Sequence, residues 1–335
     1  MPHPCPRLPH AGTAVLFATA ALALGLAAPV AAQTLRISHQ WSTSDIRHKV
    51  IEMVAEEVAE TGLEFQIYPN ASLFSPNEQW TPLTRGQVDG IVYPLAYAAG
   101  RHPEVNLTLM PGLVRNHEHA QRLNESEMME RIEALLNDNG VVTLVKGWLA
   151  GGFAAREGCI VRPEDIAGKQ TRAAGQSFEE MLVGAGAAIS SMPSSEVYSA
   201  MQTGVLDAMN TSSASFVSFR LYEQVACFTP PGDHALWFMY QPLLISKQTL
   251  DGLSEEQQMA LRAAAETAEA FYAEQAALED DEAVRVFEEA GVEIAYMSEE
   301  DYEAWMAIAR ETAFANFVAS TPDGKELLDL ALEVE

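Results

Sequence analysis

The chain has 335 residues, 48% apolar and 20% charged, a globular composition with enough length for two lobes of ordinary domain size. Its formal net charge is −27, which repels nucleic acid and anionic lipid and argues against both as partners. Past the first thirty residues no stretch is long and apolar enough to span a bilayer, so no direct membrane insertion is expected.

Met1 to His10 carries one cation, Arg7, and no acid. Ala14 to Ala28 is a run rich in Ala and Leu, and Pro29-Val30-Ala31-Ala32 puts small residues at −3 and −1 of a cut before Gln33. This is the layout of a secretory signal peptide over residues 1–32, which sends the mature chain to the periplasm. Losing Arg7 takes the charge from −27 to −28, so an anionic ligand needs a local basic group to hold it. Two cysteines remain, Cys159 and Cys227. They are open to pairing in an oxidising compartment or to standing as buried thiols.

Gln33 to His39 alternates as a first strand, and His39 to Asp45 is a polar loop. A helix follows from Ile46 to Glu60, with Ile46, Val50, Ile51, Val54 and Val58 on one face and Gly62 past its end. Leu63–Tyr68 and Val88–Tyr93 read as strands, with a helix over Asn77–Arg85 between them. Helical stretches over Glu118–Asn137 lead to a strand at Gly140–Trp148. The second half restarts the pattern: strand Lys169–Ala173, helix Ser177–Gly184, strand Ala187–Met192, a helix from Pro193 to Thr203, and strand Val205–Met209. Strand–helix alternation points to α/β sheets. Ser254 to Phe287 is Ala- and Glu-rich. It reads as one helix of about thirty residues, near 45 Å, or as two broken near Glu279-Asp280-Asp281. Gly291–Met297 is a strand, and Ser298-Glu299-Glu300 opens a helix with capping-box character.

Enzyme signatures are absent: there is no GxxxxGK loop and no HExxH helix. Gly184-Ala185-Gly186 lacks a third glycine, and Gly175-Gln176-Ser177-Phe178-Glu179 ends without the glycine of a nucleophile elbow. His117-Glu118-His119 reads as a solvated helix start. No catalytic residue, metal or cofactor is expected.

The informative block is PEDIAGKQTR, ending at Arg172, followed by SSEVYSAMQTGVLDAMNTSSASF from Ser194. It resembles the solute-binding proteins of tripartite ATP-independent periplasmic (TRAP) transporters, the DctP-type family. That family shows P-x-D-(hydrophobic)-x-G-K-x-x-R and, about twenty residues on, S-E-V-Y-x-A-(L/M)-Q-x-G-x-x-D. Arg85-Gly86-Gln87-Val88-Asp89, Pro111 and the long C-terminal helix also fit, so the likeness covers essentially the whole mature chain.

The resemblance implies a two-lobed periplasmic binding protein, α/β in class, with mixed sheets in each lobe and a long helix spanning both. Expected bounds are 33–153 and 240–281 for lobe I, 154–239 and 282–335 for lobe II. It implies that Arg172 pairs with the carboxylate of a small organic anion, a role the planar guanidinium fork suits. Arg156 is a second candidate, just after the expected crossing between lobes. The family's D-G-Q-E-N-P segment here reads Asp207-Ala208-Met209-Asn210-Thr211-Ser212, so Asn210 or Thr211 takes the asparagine's place. Ser194 stands where many relatives have an aromatic residue, implying a different pocket lining. Trp41, Tyr93, Tyr97 and Trp148 lie near predicted strand ends, where open α/β sheets bind ligands. The implied mechanism is closure about a hinge followed by delivery to integral-membrane TRAP permease subunits, with the receptor itself a monomer. The rival readings are a periplasmic enzyme acting on organic acids and the binding protein of an ABC-type importer.

Overall fold

The structure, a computed structural model, describes residues 33–335 together with Met1, His3 and Pro4. Apart from those three, the signal segment expected at 1–32 lies outside the described residues. Strands β1 (Gln33–Ser38), β2 (Leu63–Tyr68), β3 (Gly90–Val92) and β4 (Val141–Val145) open the fold. Then come β5 (Trp148–Ala155), β6 (Gln170–Ala173), β7 (Ala188–Ser191), β8 (Ala208–Ser212), β9 (Cys227–Thr229), β10 (Trp237–Tyr240), β11 (Leu243–Ser246) and β12 (Glu293–Ile294). No helix among the described residues is long and apolar enough to cross a membrane.

Two mixed sheets result. The first runs β2-β1-β3-β11-β4, with β1 parallel to β2 and β3, and β11 antiparallel to both its neighbours. The second runs β12-β9-β5-β8-β6-β7, with β10 also paired to β5. The helix Ile46–Val58 covers the first sheet. Asp45 caps it, accepting from the Arg47 amide, and Ile46, Val50, Ile51, Val54 and Val58 are all buried. Each such side chain contributes roughly 1.5–3 kcal/mol on burial.

The expected strand Gly140–Trp148 is in fact two strands in different sheets. β4 ends at Val145, and β5 belongs along its whole length to the second sheet. The chain therefore leaves the first sheet at Lys146-Gly147, before the boundary expected at residue 153. The crossing is tight. A Cβ on Gly147 would sit 1.9 Å from the Tyr272 ring, and the Lys146 amide donates to Glu269 Oε2 at 2.9 Å. The return crossing lies alongside: the Gln241 amide donates to the Gly147 carbonyl at 2.7 Å. Within β5, a Cβ on Gly151 or Gly152 would meet the carbonyls of Thr211 and Thr229 at 1.9 Å. Only glycine lets β8 and β9 approach there.

The long helix is unbroken from Glu255 to Glu289, 35 residues, with a Ser254–Gln257 capping box. The acids at 279–281 do not break it, since none is a helix breaker and Asp280 is held by both halves of the molecule. His117 Nε2 lies 2.7 Å from Asp280 Oδ2, and Ser213 Oγ donates to Asp280 Oδ1 at 2.5 Å. The helix start at His117–His119 is thus tied down rather than solvated, with His119 buried.

Two further elements differ from expectation. The helix over Asn77–Arg85 is a 3₁₀ turn, Pro76–Glu78, followed by the short helix Trp80–Thr84. The strand expected at Val205–Met209 begins at Ala208, because the Val205 and Leu206 amides still bond back to Ala200 O. The C-terminal segment serves both halves. Trp305, on helix Glu299–Ala309, stacks on Phe153 of β5, whereas Leu327, Leu328 and Ala331 join Met128, Ile132 and Leu136 in the cluster beneath the first sheet.

Cys159 and Cys227 form a disulfide, with Cα atoms 5.1 Å apart and a sequence separation of 68. Closing a loop of that length stabilises the fold by about 4 kcal/mol in the chain-entropy account. Reduction should lower the urea midpoint accordingly, measured with and without dithiothreitol. An unchanged midpoint would show that the bond adds nothing.

Candidate ligand-binding site

Two arginines are almost wholly buried in this acidic chain, and their surroundings differ in kind. Arg47, on the first helix, donates to Asp45 from Nε and Nη2 at 2.6 Å each. It donates further to Ser212, Gln241 and Ser215. All five N–H groups are used, and the charge is matched by a fully buried carboxylate. Its guanidinium also lies 3.9 Å from the centroid of the Trp41 ring.

Arg172 is 1% exposed and has no such match. It stands on β6, parallel to β7 and β8. Nε donates to Met192 O at 3.0 Å, Nη1 to Asn210 O at 2.6 Å and Nη2 to Tyr97 OH at 3.0 Å. Three of five N–H groups reach neutral acceptors, which leaves one on each Nη. Among the described residues no carboxylate oxygen lies within 4.0 Å of it. Burial pulls its pKa down, with Tyr97 acting against that. Glu179 acts on it only at longer range, and a buried cation hydrogen-bonded only to neutral groups is costly until an anion joins it.

Three buried polar atoms nearby have no partner among the described residues: Gln40 Nε2, Tyr93 OH and Asn210 Oδ1. Contacts join them into one region. Tyr93 meets Tyr97 edge-on at 5.9 Å, and Tyr97 bonds Arg172. Asn210 Nδ2 donates to the Arg172 carbonyl at 2.7 Å. Ser194 Oγ, two residues past Met192, donates to Gln40 Oε1 at 3.3 Å. Ser38, Gln40 and Tyr93 follow from the carboxyl ends of β1 and β3, where such sheets open onto ligands. Burial raises the Tyr93 phenol pKa, keeping it a neutral donor.

Of the residues singled out from sequence, Arg172, Asn210, Tyr93, Tyr97 and Ser194 come together here. Thr211 is buried beside Asn210 but alternates to the other face of β8. Trp148 is core: its indole donates to Asn124 Oδ1 and its ring packs on Tyr240. Trp41 is buried but committed to Arg47 and to Ser215 Oγ. Arg156 is exposed and donates to Met201 O, past the end of β5 and away from Arg172. Sequence reading missed Gln40, which looks like an ordinary loop polar, and Arg47, which looks like a solvated helix cation. The adjacency of Gln40 to the end of β1 was the available signal.

His39 beside Gln40 is buried, and its Nε2 lies 2.9 Å from His48 Nδ1. Burial first, and His48 second, lower its pKa from 6.5 to about 3.

A profile of the DctP family, bacterial extracellular solute-binding protein family 7, matches residues 37–318. A solute-binding protein of Albidiferax ferrireducens is 37% identical over 305 residues, covering 89% of this chain and 90% of the relative. A crystal structure of a TRAP periplasmic solute-binding protein from Rhodoferax ferrireducens with bound malonate is 36% identical. It superposes with a TM-score of 0.86, over 90% of this chain and 98% of that one. A TRAP solute-binding protein from Sulfitobacter with bound β-D-galacturonate, 21% identical over 90% and 99% of the two chains, shares the two-lobed fold with a TM-score of 0.83.

The two arginines should respond unequally to removal. Arg47→Met strands Asp45 as a buried charge and should cost about 3–5 kcal/mol, whereas Arg172→Met should cost less, about 1–3 kcal/mol, because it leaves neutral acceptors and no partner charge unpaired. Urea unfolding of both variants decides this, and equal losses would defeat the distinction. His39 favours folding only when neutral. Its contribution is present above about pH 6.5 and drains as pH falls toward 3. An NMR titration should find no His39 protonation between pH 8 and 5.

Proposed function

The chain belongs to the DctP family, bacterial extracellular solute-binding protein family 7, and we propose that it captures a small organic carboxylate on Arg172 and delivers it to TRAP permease subunits. It is a solute-binding receptor, not an enzyme, as are the relatives it matches. One observation carries the choice of ligand class: among the described residues Arg172 is buried without an ion-pair partner and keeps one N–H free on each Nη. Two parallel N–H donors fit the two oxygens of a carboxylate. The malonate and galacturonate of the similar structures each carry such a group.

The mechanism is closure. In this arrangement Tyr97 and Gln40 of the first lobe already bond Arg172 and Ser194 of the second. The lobes divide at Lys146-Gly147, at Gln241-Pro242 and along the long helix. Rotation about the two crossing segments opens the space over Arg172, and the carboxylate neutralises the guanidinium as the lobes shut. With a net charge of −27, the protein repels anions at long range, so selectivity rests on this one buried cation. Export through the 1–32 segment and residence in the periplasm accord with the disulfide, which persists in oxidising compartments. The membrane partner is an ion-gradient-driven permease that reads the closed surface, populated mainly with ligand bound.

A thermal-shift screen with malonate, succinate, galacturonate, pyruvate and glycerate tests the reading. At least one acid should stabilise the wild type, and Arg172→Ala should weaken its binding by roughly 30-fold or more, the loss of about 2–5 kcal/mol typical of a truncated buried charge pair. A full shift retained by Arg172→Ala would sink the proposal.

A further inference from the structure

We propose that Gln40 both reads the end of the ligand remote from Arg172 and holds the lobes closed over it. This rests on the carboxylate reading of Arg172. Gln40 is 2% exposed and sits two residues past the end of β1, on the first lobe. Its Oε1 accepts from Ser194 Oγ of the second lobe at 3.3 Å. Its Nε2, a double donor, has no partner among the described residues. An amide half-paired in the interior is unfavourable unless something accepts its free side.

The position of Gln40 is fixed from both flanks. The Trp41 amide donates to His39 Nδ1 at 3.2 Å, the Trp41 indole donates to Ser215 Oγ at 3.2 Å, and the Ala71 amide donates to the His39 carbonyl at 2.9 Å. The side chain therefore has little freedom to turn to solvent. Tyr93, whose hydroxyl has no partner among the described residues, meets Tyr97 edge-on, and Tyr97 bonds Arg172. Met192, which accepts from Arg172 Nε, is two residues from Ser194, so the Gln40–Ser194 bond and the Arg172 fork border the same space. The acid that fits carries its carboxylate on Arg172 and a second oxygen acceptor facing the Gln40 amide. One side chain then links recognition of that oxygen to the closed state.

The test is a cycle of ligand pairs and variants, read by calorimetric Kd. The pairs are malonate with propionate, succinate with butyrate, and 3-hydroxypropionate with propionate; each differs in the distal oxygen. In the wild type the oxygen-bearing member of at least one pair should bind about 10-fold or more tighter, as expected where a site's polar group is otherwise left unpaired. In Gln40→Leu that ratio should collapse to within about 3-fold, whereas Ser194→Ala should weaken both members by a similar few-fold factor and keep the ratio. A ratio unchanged in Gln40→Leu overturns the recognition role, and Ser194→Ala without effect on either member overturns the closure role. Circular dichroism and melting of Gln40→Leu check that it folds, with Gln40→Glu as the isosteric second variant, which should reject malonate and succinate through charge repulsion. Binding retained in Arg172→Ala, or no binding of any panel acid by the wild type, would instead overturn the carboxylate reading.

Discussion

A guanidinium taken out of water without a matching charge is the constraint that organises this molecule. Arg47 and Arg172 are buried alike, yet one is closed on itself by Asp45 and the other is surrounded by a phenol and two carbonyls. The first is architecture, complete without a guest. The second is deficient in charge, a deficit that an anion would relieve. The acidity of the rest of the chain makes the contrast sharper, since carboxylates are plentiful and, among the described residues, none forms an ion pair with Arg172.

Arg172 matters only because the two sheets are joined where they are. The crossings at Gly147 and Gln241 lie side by side, and the Tyr272 hydroxyl from the long helix donates to the Gln241 carbonyl at 3.3 Å. Glycine at 147 makes room for that ring, and glycines at 151 and 152 let β5 slide between β8 and β9. Small residues at the junction thus decide that Asn210 and Arg172 face the ends of β1 and β3.

Much of this was legible in the chain itself. The capped helices, the alternating β2, the long Ala- and Glu-rich helix and the run ending at Arg172 all carry local signals. The departure of β5 from the first sheet did not, because Val141 to Ala155 is apolar apart from Thr143 and Lys146 and periodicity does not say which sheet a strand joins. Arg156 stands near Arg172 in sequence but leaves β5 on the solvent side. Gln40 and Arg47 were hard to read, since part of their setting lies in partners more than 150 residues away: Ser194 for the one, Ser212 and Gln241 for the other.

The bond between Cys159 and Cys227 encloses Arg172, Met192, Ser194 and Asn210 within one covalent ring. Topologically, the receptor is a circle carrying two tails. A protease that nicks the chain once anywhere between those sulfurs leaves both pieces tethered, so the segment carrying Arg172 is not shed by a single cut. Liberating it takes a reductant as well.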